Sequence, residues 1–210
     1  MQYSTALSDG LLALACLASL LWLRPHFAGQ PLLRALLLGF GLTATAALCG
    51  VVRYGLEPGW VEIHRALSQL SSALGLPLLG LAALCLGRGN AWGRPTWTAL
   101  VLGLVALLIG ARWLGVDSGY RLGVNLASLL LILHAGLAHW PRRQPGLLGA
   151  GVVALFLIAG LAVGSDGFIG PLPRVDLFHG LLTLAYPLLA WQLLSLARLP
   201  LATEIPVKTL

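Results

Sequence analysis

Long apolar segments separated by short polar connections are the feature that most restricts the folds open to this chain. A helix that crosses the hydrocarbon core of a bilayer needs about 20 mostly apolar residues, and the sequence offers seven such stretches. Pro, Gly and Arg mark the connections between them. We therefore predict an all-α polytopic membrane protein, a single domain over residues 1–210 with seven transmembrane helices. The stretches lie at about 3–23, 31–54, 61–86, 95–114, 119–139, 146–164 and 175–197.

The composition supports this prediction and argues against nucleic-acid binding. Hydrophobic residues make up 58% of the 210 residues and charged residues only 10%, which lies outside the range of soluble domains. A net charge of +6 would suggest nucleic acid in a soluble protein, but here the basic residues stand between the spans. We expect a multi-pass protein of the bacterial inner-membrane type, with membrane lipid and a small amphipathic ligand as partners and no nucleic acid.

The basic residues are distributed unevenly between the two sides of the predicted bundle. The first, third and fifth connections and the C-terminal tail hold eight Lys and Arg, against five on the other side. Cytoplasmic loops carry the excess of Lys and Arg, so the N-terminus is predicted outside and the C-terminus in the cytoplasm. The eight are Arg24, Arg34, Arg88, Arg94, Arg142, Arg143, Arg198 and Lys208.

Polar side chains recur at helical spacing in three of the spans. Ionisable groups inside a membrane are costly and usually face a bundle interior or a water-filled cavity. With the predicted orientation these groups converge near the outer interface, together with Arg53 and Tyr54 from the second span and Arg121 and Asn125 from the fifth. We therefore predict an outward-facing polar pocket. The stripes are Thr5, Asp9 and Cys16 in the first span, His64, Ser68, Ser71 or Ser72, and Gly75 in the third, and Asp176, His179, Thr183 and Tyr186 in the seventh.

The residue types in this pocket suggest a metal-dependent hydrolase that acts on a lipid or an amide. Two neutral histidines and a carboxylate form the three-ligand set of catalytic zinc, which leaves one position for water. Arginine suits a phosphate or carboxylate head group. The predicted metal ligands are His64, Asp176 and His179, the catalytic residues are Asp9 and Ser68, and the substrate-binding residues are Arg53, Tyr54, Arg121 and Asn125.

Seven spans with Ser, Asp and His near one membrane face resemble the superfamily of alkaline ceramidases and progestin/adiponectin receptors. The resemblance implies a zinc ion held by histidines on the second and seventh helices. That superfamily carries Ser-x-x-x-His on helix two and His-x-x-x-His on helix seven. Here His64-x-x-x-Ser68 runs in the reverse order on helix three, and Thr183 follows His179. The Leu-Ser-Asp that ends at Asp9 also resembles bacterial seven-helix membrane families without an assigned activity.

Two other functions fit the same residues. His64 and His179 at equal depth could serve as axial ligands of a b-type haem that exchanges electrons with quinone. Alternatively, the chain is a receptor, a small-molecule permease or an accessory subunit. In that case Asp9, His64 and Asp176 form a structural hydrogen-bond network, whose members contribute about 0.6 to 2 kcal/mol each.

Overall fold

The computed structural model describes residues 2–139 and 143–199 of the chain. Arg142, Glu204 and Lys208, which bear on the charge distribution, lie outside these residues. Within the described part, seven helical segments are long and apolar enough to cross a membrane. The predicted all-α polytopic fold with seven spans is therefore confirmed, and the orientation of the N-terminus stays a prediction.

The spans follow one another with short connections. An antiparallel hairpin of two very short strands, β1 (Phe168–Ile169) and β2 (Leu172–Pro173), precedes the last helix. The third span consists of three consecutive helical segments: α3, a π-helical turn and α4. The helical segments are α1 (Tyr3–Phe27), α2 (Leu32–Gly55), a 3-10 turn (Pro58–Trp60), α3 (Val61–Leu70), a π-helical turn (Ser71–Gly75), α4 (Leu76–Gly87), α5 (Arg94–Trp113), α6 (Asp117–Leu137), α7 (Arg143–Leu157), a second π-helical turn (Ile158–Val163) and α8 (Arg174–Ala197).

The first connection differs from the prediction. Arg24-Pro25 was expected to end the first span, but α1 continues through Pro25 to Phe27. Proline in the last turn removes one backbone hydrogen bond, while Phe27 is almost fully buried in the core. Burial of this ring holds the last turn in place. The helix therefore ends a few residues later than the predicted stretch of about 3–23.

Six of the spans form a closed ring. Going round, α1 packs on α2, α2 on the third span, α4 on α6, α6 on α7, α7 on α8, and α8 back on α1. The remaining helix, α5, lies outside the ring against α6, α2 and the first π-helical turn. Only 17% of the residues in the most apolar stretch of α5 are buried, against 72% in the corresponding stretch of the third span. The third span is therefore the most central element and α5 the most peripheral.

The π-helical turn of the third span has a local cause in Pro77. This proline has no N–H to offer the carbonyl group one turn earlier, and its ring crowds that carbonyl. The backbone forms a wider, π-helical turn over Ser71–Gly75. Such turns are frequent at functional sites. The turn directs Ser71 and Ser72 toward the interior of the ring, where both line the cavity described below.

Candidate functional site

A cavity of about 300 Å³ lies inside the ring, on the side where α1 and α8 begin. Side chains of six of the spans line it, and three of its polar residues, Asp9, His64 and His179, come from three different spans. Asp9 is six residues into α1 and His179 five residues into α8. At 1.5 Å per residue both lie about 8 to 9 Å in from their helix starts. Asp9, His64 and His179, which the sequence analysis placed in one pocket, thus line a common cavity.

Asp9 and His179 form a contact between α1 and α8. Oδ1 of Asp9 lies 3.2 Å from Nδ1 of His179, and Asp9 is only 1% exposed. Ser8 Oγ lies 3.4 Å from the same Nδ1 and 3.3 Å from Oδ1 of Asp176. The serine therefore connects the buried pair to the second carboxylate. An ionised carboxylate only accepts hydrogen bonds. With Asp9 in that form, the proton of the His179 ring would lie on Nδ1 and its Nε2 would keep a lone pair.

A glycine in α2 makes room for the Asp9 carboxylate. A Cβ atom on Gly50 would stand 2.1 Å from Oδ2 and 2.5 Å from Cγ of Asp9. No side chain other than hydrogen fits there while Asp9 keeps its position. The α1–α2 contact thus holds the carboxylate against His179 from behind.

His64 is held on the opposite side of the cavity by Arg53. The guanidinium Nη1 lies 3.0 Å from Nδ1 of His64, and the ring of Tyr54 packs edge-on against the imidazole with centroids 5.8 Å apart. Arginine has donors and no acceptor, so Nδ1 of His64 must accept. In the neutral ring the proton is then on Nε2.

The two histidines thus present opposite hydrogen-bonding faces to one cavity. His64 offers an Nε2–H donor, because Arg53 occupies its Nδ1. With an ionised Asp9 carboxylate 3.2 Å from Nδ1, His179 would carry its proton on Nδ1 and offer an Nε2 lone pair. Tautomers are fixed in this way by the partner of the other ring nitrogen. A head group with one acceptor and one donor would satisfy both.

Three hydroxyl groups close the deep end of the cavity. Oγ1 of Thr43 lies 2.8 Å from Oγ of Ser71 and 2.9 Å from Oη of Tyr186. Thr43 and Tyr186 each stand twelve residues from the ends of α2 and α8 on the cavity side, which places them about 18 Å deep. The cavity therefore reaches from the polar residues near the helix ends to the middle of the membrane.

Asn125 joins the cavity from α6. Its Nδ2 donates to Oγ of Ser72 at 2.7 Å, while its Oδ1 is buried and without a partner. Oδ2 of Asp9 is also buried and unpartnered. Buried acceptors left without a donor are costly, so both oxygens weaken the stability of the site.

The other predicted site residues are divided between the cavity and its surroundings. Ser68 lines the cavity. Asp176 is reached through Ser8, and Tyr54 contacts the site through the His64 ring. Arg121 forms an ion pair with Asp117 on its own helix and is not among the residues that line the cavity.

The residues present do not fit the predicted zinc site. No group of three His, Cys, Asp or Glu is arranged to hold a metal ion within residues 2–139 and 143–199. His64 also accepts from Arg53 through Nδ1, so its Nε2 carries a proton and has no lone pair for a metal. The same reasoning applies to an axial ligand of haem. His179 has a carboxylate beside its Nδ1, which is the arrangement of a metal-ligand histidine. His64 does not share this arrangement, because its Nδ1 faces Arg53.

Sequence reasoning missed several residues that shape the site. Thr43 gave no signal, because a lone threonine in an apolar span usually bonds back to its own helix, as Thr43 also does to the carbonyl of Gly39. Gly50 could not be distinguished from other span glycines. Ser8 is the neighbour of Asp9 in the sequence, and this position could have marked it as a site residue. Tyr186 was not missed, because it belongs to the predicted stripe in the seventh span.

The chain belongs to a family of unknown function (DUF6962), which matches residues 4–198. Formate hydrogenlyase subunit 3 of Escherichia coli (strain K12) is 30% identical over 165 residues, which cover 68% of this chain and 26% of that protein. The chain therefore spans about a quarter of the length of this curated relative. No solved structure matches the chain.

Proposed function

We propose that this protein binds a single-chain amphiphile whose uncharged head group carries both a hydrogen-bond donor and an acceptor, such as a hydroxyl or an amide. The observation that carries this proposal is that His64 and His179 line one cavity with different groups at Nδ1, the Arg53 guanidinium at His64 and the Asp9 carboxylate at His179, which favours opposite tautomers. The Nε2–H of His64 would donate to the acceptor of the head group. The Nε2 of His179 would accept from its donor.

The walls of the cavity suit an alkyl chain. Below the histidines they are formed mainly by leucine and phenylalanine side chains, and a volume of about 300 Å³ is at the lower end of small-molecule sites. Burial of an alkyl chain there supplies affinity, while the few polar groups fix the orientation of the head. The apolar wall includes Leu12, Leu122, Leu126, Leu129, Phe156 and Leu157.

The polar groups favour a neutral head group over an anionic one. Asp9 Oδ2 and Asn125 Oδ1 are buried acceptors without a donor, and an anionic head would stand beside the Asp9 carboxylate. The two arginines predicted to bind an anion already contact other side chains. Arg53 donates to His64, and Arg121 forms an ion pair with Asp117. We therefore expect a hydroxyl or amide head to bind more tightly than a carboxylate or phosphate.

A competition experiment tests this proposal. The purified protein in lipid nanodiscs is irradiated with a monoacylglycerol that carries a diazirine in its acyl chain. Unlabelled monoacylglycerol, fatty acyl ethanolamide, fatty acid and alkyl phosphate serve as competitors. Labelled residues are located by peptide mass spectrometry. We expect saturable labelling of cavity residues that the two neutral compounds suppress and the two anionic compounds do not.

Matched histidine variants link the binding to the site. His64→Gln and His179→Gln should each weaken competition by about tenfold, the effect of one lost hydrogen bond of roughly 1.4 kcal/mol. His134→Gln serves as the control, because His134 lies on the exposed face of α6. Equal competition by all four compounds, or no effect of either cavity variant, would contradict the proposed function.

A second candidate is hydrolysis of a neutral amphiphile, which the Asp9–His179 contact favours. A histidine whose Nδ1–H is held by a carboxylate is the usual general base of acyl transfer. Nε2 of His179 would take a proton from water as its oxygen attacks an ester or amide carbonyl, whose oxygen accepts from His64. Collapse of the intermediate would return that proton to the departing alcohol or amine, leaving a carboxylic acid.

Product analysis separates hydrolysis from binding. Release of fatty acid from a monoacylglycerol or an acyl ethanolamide, lost in His179→Gln, would establish the enzyme. Unchanged substrate after prolonged incubation would leave binding alone. Zinc-dependent hydrolysis, with the resemblance to alkaline ceramidases that suggested it, stays a prediction. Elemental analysis for zinc of the wild type and of His179→Ala decides it independently.

A third candidate is a membrane subunit of a larger enzyme, which the similarity to formate hydrogenlyase subunit 3 favours. The largely exposed helix α5 would offer its surface to a neighbouring subunit. Native electrophoresis of gently solubilised membranes from the source organism tests this. The chain should then migrate in a heavy band whose other components are identified by mass spectrometry as subunits of one enzyme. Migration of the chain alone would contradict it.

A further inference from the structure

Helices α6 and α7 are packed very closely at one end. A Cβ atom on Gly136 would lie 2.5 Å from the carbonyl oxygen of Pro145, and one on Gly149 would lie 3.2 Å from that of Ile132. The two backbones therefore approach each other here with only hydrogen between them. The side chain of Gln192 from α8 seals the contact by donating to the Ile132 carbonyl at 2.8 Å.

The same two helices separate toward their other ends. Helix α6 packs on α7, but the π-helical turn that follows α7 is not among the elements that α6 packs against. Past Leu157 the chain widens into the π-helical turn Ile158–Val163, whose contacts are with α8. The helix pair is thus closed where α7 begins and splayed where α6 begins.

The splayed end coincides with the cavity wall. Leu122, Leu126 and Leu161 line the cavity, yet they are 52%, 37% and 65% exposed on the outside of the bundle. A side chain can contact both an internal cavity and the outer surface only where the wall between them is open. Gly160, between Leu157 and Leu161, also lines the cavity and is exposed.

The level of this opening decides what lies outside it. Leu126 is nine residues into α6, which places it about 14 Å from the helix start. Leu161 is only two residues from the end of the π-helical turn on the same side. The hydrocarbon core is about 30 Å thick, so the opening runs from near the interface to acyl chains near the middle of the bilayer. Exposed leucines at this level are normal for a lipid-facing surface.

We propose that the cavity opens sideways into the bilayer between α6 and the π-helical turn Ile158–Val163, and that its ligand enters through this portal from the lipid phase. The inference rests on the proposed function and deepens it. The ligand class is narrowed to molecules that are dissolved in the membrane, whose chain can lie in the portal while the head group reaches His64 and His179.

Closing the portal with a large side chain tests the proposal. Gly160→Phe places a ring in open space at the edge of the opening, where no neighbour has to move. Leu126→Trp narrows the same opening from α6. Gly103→Phe is the matched control, because Gly103 is exposed on α5, meets nothing within 4 Å and does not line the cavity.

The readout is the rate at which the cavity is labelled. Proteoliposomes are mixed with donor vesicles that contain the diazirine monoacylglycerol and are flash-irradiated after increasing times. We expect labelling of Thr43, Leu76 or Leu129 to slow by about tenfold or more in Gly160→Phe and Leu126→Trp, the effect of roughly 1.4 kcal/mol on the entry barrier. Labelling of lipid-facing residues on α5 should be unchanged in every variant, and Gly103→Phe should behave as the wild type.

The outcomes separate the portal from the proposed function. Cavity labelling at the wild-type rate in both portal variants would overturn the portal and leave the proposed function standing. Equal slowing in Gly103→Phe would likewise overturn it, because the effect would then be independent of the opening. Absence of cavity labelling in the wild type would overturn the proposed function, and the portal with it.

Discussion

Replacement of Gly50 by alanine tests how the Asp9–His179 pair is held. The new methyl group would overlap the Asp9 carboxylate, at 2.1 Å from Oδ2 and 2.5 Å from Cγ. Such distances are not sustained, so the carboxylate must move away from α2. His179 Nδ1, now 3.2 Å from Oδ1, would lose its partner or be displaced with it.

The magnitude follows from two losses. Overpacking of a close contact costs about 1 to 3 kcal/mol, and a hydrogen bond between membrane helices contributes about 0.6 kcal/mol and at most about 1.7. Together they lower the free energy of unfolding by about 1.6 to 4.7 kcal/mol. Gly41→Ala on the same helix is the control, because its Cβ would meet nothing within 4 Å. Any gain in helix propensity, up to about 1 kcal/mol, is shared by both variants and cancels.

Reversible unfolding of the protein in bicelles measures the difference, and a double-mutant cycle assigns it. In an Asp9→Ala background the overlapping atoms are gone, so Gly50→Ala should cost no more than Gly41→Ala. The coupling free energy between positions 9 and 50 should then be about 2 kcal/mol or more, within the range found for residues in contact. Equal stability of Gly50→Ala and Gly41→Ala, or the same cost of Gly50→Ala in both backgrounds, would refute the reasoning.

Two further substitutions test the deep end of the cavity and the closed end of the α6–α7 pair. Thr43→Val removes a hydroxyl bonded to two other side chains and should lower the free energy of unfolding by about 1 to 3 kcal/mol, whereas Thr45→Val, whose hydroxyl bonds only to its own helix, should change it little. Gly136→Ala presses a methyl group against a backbone carbonyl 2.5 Å away and should lower the midpoint of thermal unfolding more than Gly146→Ala, whose nearest neighbour is a leucine methyl at 3.5 Å. Equal stability of Thr43→Val and Thr45→Val would contradict the role of the Thr43 hydroxyl bonds. Equal stability of Gly136→Ala and Gly146→Ala would contradict the close α6–α7 contact.

The sequence was sufficient to predict the spans and the depth of the polar groups. Hydrocarbon requires long apolar helices, and it drives ionisable side chains toward a bundle interior, so both features follow from position along the chain. Asp9, His64 and His179 accordingly line one cavity. The stripe of His64, Ser68, Ser71 and Ser72 in the third span also lines it.

The partners within the site could not be predicted in the same way. The sequence analysis grouped Asp176 with His179 as metal ligands on one helix, but it is Asp9 from α1 whose Oδ1 lies 3.2 Å from Nδ1 of His179. The rotation of each helix about its axis decides such partners, and glycines such as Gly50 set that rotation through close approach. Hydropathy reports depth and carries no information on rotation. For the same reason the hydrogen bond from Arg53 to Nδ1 of His64 was not foreseen.

The central claim is that His64 and His179 face one cavity in opposite tautomers. The direct measurement is the ¹⁵N spectrum of histidine-labelled protein in nanodiscs at a pH where both rings are neutral, with signals assigned through His64→Gln and His179→Gln. We predict a proton on Nε2 of His64 and on Nδ1 of His179, and loss of the His64 preference in Arg53→Gln. The same tautomer at both positions, or rapid averaging at either in the wild type, would contradict the account.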